Sequence, residues 1–261
     1  MIPAKAARPS GSKASFENLL SSNSEWITWI EETIKLEKLI KSRVNWDGLD
    51  KGSIEFIQKR FGSTTPQSQL LINSFYLTMA AGFEEYLRAT LQDVIRGLTA
   101  KKPTYAQLTE SIRDLHIRES AKLLKRLDSP PDYITFNKED LCRGLGSCVP
   151  GSAAVILNPE ALSDVDSLIK LKNFMDRMSN LGKKIDWDTL GTNSAIKSAM
   201  NLPGGKPRAV GKSLENELAI MARYRNRIAH TGGNASDVTP EILASHRNIL
   251  KAAVAAIDAI V

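Results

Sequence analysis

Cysteine is nearly absent from this chain: among 261 residues only Cys142 and Cys148 occur. Two cysteines at this spacing provide neither a disulfide framework nor the ligand pattern of a zinc site. We therefore expect both to be reduced thiols, and we expect no metal and no other cofactor.

Long apolar runs are also missing. No stretch approaches the roughly 18 consecutive apolar residues of a membrane-spanning helix, so we expect no membrane contact. Residues 1–13, rich in Pro, Ser, Ala and Lys, lack the apolar segment of a secretory signal. The sequence therefore predicts a cytoplasmic location.

The alternating pattern of β-strands is the third absence, whereas apolar residues recur at helical spacing along most of the chain. A hydrophobic content of 42% is enough for a sizeable core. We predict an all-α fold: an elongated up-and-down helical bundle with short helical inserts. Residues 1–14 are expected to be a disordered tail and 15–261 a single domain, with an inserted middle region at about 130–210.

The charge balance is mildly basic, with a net charge of +6 and a pI near 9.2. This excess is compatible with an acidic partner such as RNA, although many basic proteins bind no nucleic acid. Lys206 and Arg208 lie in a Pro- and Gly-rich loop that could approach such a partner. A plain surface connection is the alternative for that loop.

One predicted helix carries an arginine where its apolar stripe requires a hydrophobic residue. Leu214, Leu218, Met221, Arg225 and Ile228 follow the four-three-four-three spacing of a core-facing stripe. A buried guanidinium is costly unless a carboxylate and other acceptors surround it. Arg225 is therefore expected to have an acidic partner.

A second long helix carries the complementary irregularity. Glu84 occupies one position of its stripe, which consists of Leu77, Ala80, Glu84, Leu87, Leu91, Ile95 and Leu98. We predict that the two stripes face each other and that Glu84 lies within ion-pair reach of Arg225 or Arg223. If this pair is buried, removing one partner should cost about 3–5 kcal/mol. The alternative is a carboxylate at the helix edge that reaches water.

These two stretches resemble a known family. The run Arg225-Asn226, three residues, His230 resembles the Arg-Asn-x-x-x-His signature of HEPN domains, many of which are metal-independent endoribonucleases. Residues 83–88, Phe-Glu-Glu-Tyr-Leu-Arg, resemble the Glu-x-Tyr-Leu-Arg segment on the early long helix of families such as RiboL-PSP-HEPN. The two segments also occur in the family's order.

The resemblance implies a HEPN-like bundle that acts on RNA as a homodimer, with an antitoxin or regulatory protein as a further partner. It implies Arg225, Asn226 and His230 as catalytic residues. Glu84, Arg223 and Arg227 are supporting candidates, and Lys206 and Arg208 are candidate RNA contacts. Because the family spacing of four to six residues fits either arginine, the motif arginine is Arg223 or Arg225.

These residue types suit RNA cleavage without a metal. Histidine can remove or donate a proton near neutral pH, and arginine presents a fork of donors that matches two phosphate oxygens. On an ideal helix, however, Arg225 and His230 lie about 140° apart. Either the helix loosens before His230, or two copies of the helix assemble one site, which is what the resemblance implies.

The sequence leaves the biological role open. The motif favours an endoribonuclease in a toxin–antitoxin or phage-defence setting, and the alternative is a non-catalytic module that binds a protein or a nucleotide. Two other histidines are present: His116 is expected at the surface, and His246 has no motif around it.

Overall fold

The computed structural model describes residues 11–43, 50–53, 55, 67–126, 129, 137–231 and 237–261. Within these ranges the backbone forms helices and no strand, which confirms the all-α prediction. In chain order the helices are α1 (Gly11–Arg43), α2 (Gln67–Ala100), α3 (Glu110–Leu124), α4 (Lys138–Ser147), α5 (Pro159–Ser163), α6 (Leu171–Asn180), α7 (Trp187–Thr192), α8 (Ser194–Ala199), α9 (Pro207–Thr231) and α10 (Pro240–Ile260).

Four long helices, α1, α2, α9 and α10, form the bundle. Helix α1 runs antiparallel to α2, since Phe16 packs on Phe83 while Trp26 packs on Phe75, with ring centroids 6.0 and 5.5 Å apart. Gly82 permits this close approach, because a Cβ there would collide with side chains of α1. The first two long helices of the bundle are therefore an antiparallel pair.

Helix α1 begins at Gly11. The last four residues of the predicted disordered tail, 11–14, are therefore helical, and the rest of that tail lies outside the described residues. The apolar side chains of α1 continue to its start, because Phe16 and Leu20 are buried against the core. Packing against the core therefore stabilises the first described turns of this helix.

Both predicted stripes enter one continuous hydrophobic core, as expected from their spacing. In α2 the apolar residues in the middle of the stripe are fully buried, and its two ends are half-buried. In α9 the four apolar members of the stripe, Leu214, Leu218, Met221 and Ile228, are each at most 3% exposed. Burying so many apolar side chains fixes the rotation of α9 about its axis.

Two glycines let α7, in the middle region, contact the start of α9 through backbone atoms. A Cβ at Gly191 of α7 would collide with the carbonyl oxygen of Pro207, and one at Gly211 of α9 would collide with the carbonyl oxygen of Trp187. The region at about 130–210 therefore holds the first turns of the helix that carries the motif.

Neither cysteine is bonded to the other: Cys142 is exposed and Cys148 is buried. Burial raises the pKa of the Cys148 thiol, so this residue acts as a small packing group. Of the helices in the described ranges, none combines the length and apolar character that crossing a membrane requires.

Candidate functional site

The motif lies on an unbroken helix. Helix α9 continues to Thr231, whose hydroxyl donates a hydrogen bond of 2.8 Å to the carbonyl oxygen of Arg227 one turn earlier. The helix therefore does not loosen before His230, and the first explanation for the angle between Arg225 and His230 is wrong. Within one chain these two side chains leave the helix on different sides.

His230 shares its side of the helix with other motif residues. On a helix of 3.6 residues per turn, Arg223, Asn226 and Arg227 lie within about 60° of His230. All four are exposed, and we call them the motif face. No described residue forms a hydrogen bond or ion pair with the His230 imidazole, so both of its ring nitrogens face solvent.

Arg225 meets the predicted carboxylate. Its Nη2 lies 3.6 Å from Oε2 of Glu84, which confirms the expected pair. Its Nη1 donates a hydrogen bond of 3.0 Å to Oδ1 of Asn226, so the guanidinium links the motif face to α2.

The pair is only partly buried, so the condition for a cost of about 3–5 kcal/mol is not met. The Arg225 side chain is 40% exposed and that of Glu84 is 14% exposed. Arg225 can occupy a position in the apolar stripe because its long side chain packs its stem on the core and keeps its charged end in water. A half-exposed pair of this kind is worth less than about 1 kcal/mol.

Glu84 has a second partner. Its Oε1 accepts a hydrogen bond of 3.1 Å from the backbone N–H of Ile169, in the segment between α5 and α6. This bond rules out the alternative of a carboxylate that simply reaches water. Glu84 thus joins α2, the middle region and Arg225.

An open groove of about 750 Å³ lies beside the pair. Its charged lining consists of Glu84, Glu85, Asp166, Arg88 and Arg225, and His230 is not part of it. The groove therefore carries both signs of charge, and the histidine lies outside it.

Arg88 lines this groove and joins two of the elements that border it. Its Nη1 donates a hydrogen bond of 3.0 Å to the carbonyl oxygen of Ser163, and its Nε lies 3.7 Å from Glu85. The Arg88 side chain is only 9% exposed, whereas that of Glu85 is 65% exposed. The arginine of the Glu-x-Tyr-Leu-Arg segment is therefore a structural group that holds α5 on α2.

The remaining arginines of the motif differ in their surroundings. Arg227 forms an ion pair of 2.6 Å with Asp237, at the beginning of the segment that leads into α10. Arg223 has no ion-pair partner within the described part of the chain. Arg225 is thus the motif arginine that contacts Glu84, and Arg223 is the one that shares a side with His230.

Lys206 and Arg208 lie at the other end of α9, and the loop predicted for Arg208 is wrong, because the helix already begins at Pro207. Arg208 is separated from His230 by 22 residues of continuous helix, which corresponds to about 33 Å. Both basic residues are exposed. One chain therefore does not bring them to the histidine, and their contact with RNA stays a prediction.

A buried network of polar side chains on the core side of α9 was not anticipated from the sequence. The hydroxyl of Tyr76 lies 2.7 Å from Nδ1 of His246, whose Nε2 lies 3.4 Å from Oε2 of Glu217. Tyr224, between the two motif arginines, packs its ring on both Tyr76 and His246, with centroids 6.0 and 6.1 Å apart. This network fixes α9 against α2 and α10.

Burial decides the charge of this network. It raises the pKa of the Tyr76 phenol, and it lowers the pKa of His246 although the Glu217 carboxylate acts in the opposite direction. The position of His246 among the apolar residues Leu243, Ile249 and Leu250 of α10 was the signal that could have revealed its burial.

His116 is buried, so the prediction of a surface histidine is wrong. Its Nε2 accepts a hydrogen bond of 3.2 Å from the backbone N–H of Asn158, and burial lowers the pKa of His116 to about 4. The side chain of Asn158 in turn donates to Ser120 and to the carbonyl oxygen of Leu141. This cluster, which we call the Asn158 cluster, joins α3, α4 and α5.

No group of three or more His, Cys, Asp or Glu side chains in the described ranges is placed to hold a metal ion. The chemistry available at the motif face is therefore that of an imidazole, an amide and guanidinium groups.

Comparison with known proteins identifies the family. The family model of RiboL-PSP-HEPN matches residues 49–261, which include α2, the middle region and α9. Searches of curated proteins and of solved structures gave no significant match. The match covers most of the chain and contains both motif segments, so this chain belongs to the RiboL-PSP-HEPN family.

Proposed function

We propose that the protein is a metal-independent endoribonuclease of the HEPN type. The observation that carries this proposal is the motif face: His230 is solvent-exposed and has no partner among the described residues, and it lies next to Asn226, whose side chain is bonded to Arg225. Such an imidazole is free to exchange protons with a bound ligand, and the neighbouring donors suit a phosphate.

The proposed reaction is attack by the 2′-hydroxyl of RNA on the adjacent phosphorus. An imidazole removes the hydroxyl proton as the new P–O bond forms, and an acid donates a proton to the departing 5′-oxygen. The products are a 2′,3′-cyclic phosphate and a free 5′-hydroxyl. Arginine side chains stabilise the charge on the non-bridging oxygens.

This reaction needs two proton-transfer groups, and each motif provides one histidine. We therefore propose a two-fold homodimer in which the motif faces of two chains border one cleft. The continuous helix supports this arrangement, because it keeps Arg225 and His230 of one chain about 140° apart. A second copy supplies the missing side of the site.

Further parts of the proposal concern context. We place the protein in the cytoplasm, in a toxin–antitoxin or phage-defence system, with an antitoxin or regulatory protein that restrains the nuclease. Residues 15–261 are proposed to form one domain whose middle region, at about 130–210, holds the motif helix through Gly191 and Gly211.

The test is incubation of the purified protein with single-stranded RNA in excess EDTA. We expect cleavage with 2′,3′-cyclic phosphate ends and its loss in His230→Ala. Asn226→Ala should also lose activity, whereas Asn216→Ala, another exposed asparagine of α9, should keep it. Full activity of His230→Ala would contradict the chemistry, and an active monomer would contradict the shared site.

A non-catalytic binding module is the second candidate. The observation in its favour is the contact between Arg225 and Glu84, which offsets part of the positive charge that a phosphate would meet. Binding of RNA or of a protein partner by the wild type, without cleavage at any protein concentration, would establish this alternative.

A further inference from the structure

A small cleft lies against α9, one to two turns before the motif face. Its volume is about 190 Å³, and it is lined by Trp187 of α7, residues 170–173 at the start of α6, and Glu215, Leu218 and Ala219 of α9. The lining includes four apolar and four polar residues. No residue of the proposed active site lines it.

The size of the cleft limits what can fill it. A volume of 190 Å³ equals that of about six water molecules, which is enough for one planar ring system and too small for a helix. Trp187 is half-buried, and its backbone is fixed against Gly211. The indole is therefore held in place before a ligand arrives, which lowers the entropic cost of stacking on it.

The charges around the cleft favour an anionic ligand. Lys170 and Lys172 border it and are exposed, and Lys172 has only a loose pair with Asp176 at 3.7 Å. The single acidic group of the lining, Glu215, is bonded to Lys212 at 2.8 Å. Two lysines beside a partly exposed aromatic ring form the combination by which proteins bind single-stranded nucleic acid.

The cleft also lies in line with the motif face. Ala219 and His230 differ by 11 positions, so they share one side of α9, about 20° apart and about 17 Å along its axis. Arg223 lies between them on the same side, and its side chain is exposed. A single strand that follows α9 from His230 therefore passes Arg223 and reaches Trp187.

We propose that this cleft is a base-binding subsite for single-stranded RNA, in which one nucleobase stacks on Trp187 while Lys170 and Lys172 contact the neighbouring phosphates. The proposal rests on the proposed ribonuclease function and deepens it. It assigns to the enzyme a preference for unpaired RNA, because a paired base cannot enter so small a cleft.

Binding can be separated from cleavage with a single-stranded 2′-O-methyl oligonucleotide, which lacks the attacking hydroxyl. Its addition should quench tryptophan fluorescence in the wild type and in Trp29→Phe, whose indole is 50% exposed on α1. In Trp187→Phe, which keeps an aromatic ring in the cleft, the quenching should disappear. Unchanged quenching in Trp187→Phe would overturn the proposal.

Affinity provides a second measurement. Trp187→Leu should weaken binding of the oligonucleotide about 5- to 150-fold, because stacking on an aromatic side chain is worth about 1–3 kcal/mol per base. Trp187→Phe should keep most of the affinity, and Trp29→Leu should keep all of it. Equal affinity of Trp187→Leu and wild type would overturn the base-binding subsite and would favour a protein side chain as the occupant of the cleft.

The two proposals fail separately. If the oligonucleotide binds through Trp187 but unmodified RNA is not cut, the nuclease proposal fails and the subsite remains. If RNA is cut and Trp187→Leu has an unchanged KM, the subsite fails and the nuclease remains. A rise in KM at constant kcat supports both.

Discussion

The exposed end of α9 and the packed interior around the Asn158 cluster use the same residue types in opposite ways. At the end of α9, His230 is exposed, and no residue in the described part of the chain bonds to its imidazole. In the interior, His116 is fully buried, and its imidazole accepts a hydrogen bond from Asn158. The comparison shows that the fold leaves one imidazole accessible to a ligand and encloses the other as a packing and hydrogen-bonding group.

The physical cause of the difference is desolvation. Charging an imidazole inside the protein is unfavourable, and burial therefore lowers the pKa of His116 and of His246. Both act as neutral hydrogen-bonding groups at physiological pH. His246 packs on Tyr224, which lies between two motif arginines. Distance from the motif therefore does not decide whether a histidine is buried or exposed.

Substitution of the exposed histidine should have the largest effect, which we expect on RNA cleavage. In His230→Gln we expect RNA cleavage to fall about 10²- to 10⁴-fold, since proton transfer is lost. Because the side chain is exposed, the free energy of unfolding should change by no more than about 0.5 kcal/mol. Cleavage rates and denaturant unfolding curves measure the two quantities.

The matched control is His246→Gln, which should reverse this pattern. It disrupts hydrogen bonding with Tyr76 in the interior, so the unfolding free energy should fall by about 1–3 kcal/mol. Equal loss of stability in both variants would contradict the distinction between an exposed and a buried histidine.

The next-largest effect should be a loss of stability at acidic pH, caused by the buried imidazole of His116. The pKa of His116 is about 4 in the folded protein and near 6.5 in the unfolded chain, so the unfolded state binds more protons below pH 6.5. Stability is therefore fully present above that pH and is lost as the pH falls toward 4. By pH 5 we expect this residue to have lowered the free energy of unfolding by about 2 kcal/mol relative to its value well above pH 6.5.

Unfolding curves at several pH values check this prediction, with His116→Gln as the control. The glutamine can accept the bond from the Asn158 N–H but does not titrate, so its stability should depend less on pH in that interval. An identical pH dependence in both proteins would show that His116 does not contribute.

A change that disturbs the packing of the Asn158 cluster should have the next-largest effect on stability. A Cβ at Gly144 would collide with the side-chain amide of Asn158, which is buried and bonded to Ser120. We expect Gly144→Ala to lower the unfolding free energy by about 1–3 kcal/mol. Thermal or denaturant unfolding measures this loss.

Gly146, two positions later in the same helix, is the matched control. It is exposed and has no atom within 4 Å of the position of a Cβ. Gly146→Ala should therefore stabilise the protein by up to about 1 kcal/mol through helix propensity. Destabilisation of similar size in both variants would argue against the collision with Asn158.

The smallest effect is expected at the ion pair of the site. In Glu84→Gln the amide oxygen can still accept from Ile169, so the change removes mainly the charge opposite Arg225. Because the Arg225 side chain is 40% exposed, we expect a loss of less than about 1 kcal/mol in unfolding free energy.

Glu119 provides the contrast in the interior. Burial acts to raise its pKa, but hydrogen bonds from Lys122 and Arg118 and the charge of Arg177 outweigh it, and the pKa of Glu119 is lowered. Its side chain is only 6% exposed. Glu119→Gln should cost more than Glu84→Gln, and the reverse order in unfolding experiments would contradict this assignment.

Much of the fold could be predicted because helical spacing is a local property. The stripe from Leu214 to Ile228 placed α9 correctly, and the irregularities at Glu84 and Arg225 correctly indicated a contact between two helices 141 positions apart in the chain. The helical conformation of residues 11–14 escaped prediction, because contacts of this end of α1 with α2 stabilise it.

The sequence by itself determined the helical class, the two segments that place the chain in its family, and a pairing of Glu84 with Arg225 or Arg223, of which the structure selects Arg225. It could do so because periodicity and a charge inside an apolar stripe are visible in one dimension.

Only the tertiary structure decided which groups are enclosed. It buried His116 and His246, left Arg225 half-exposed, kept α9 continuous through His230, and placed Trp187 beside α9. Burial and alignment of this kind depend on contacts between helices that lie far apart in the chain. No local pattern records those contacts, because the hydrophobic effect acts on the total surface that folding removes from water.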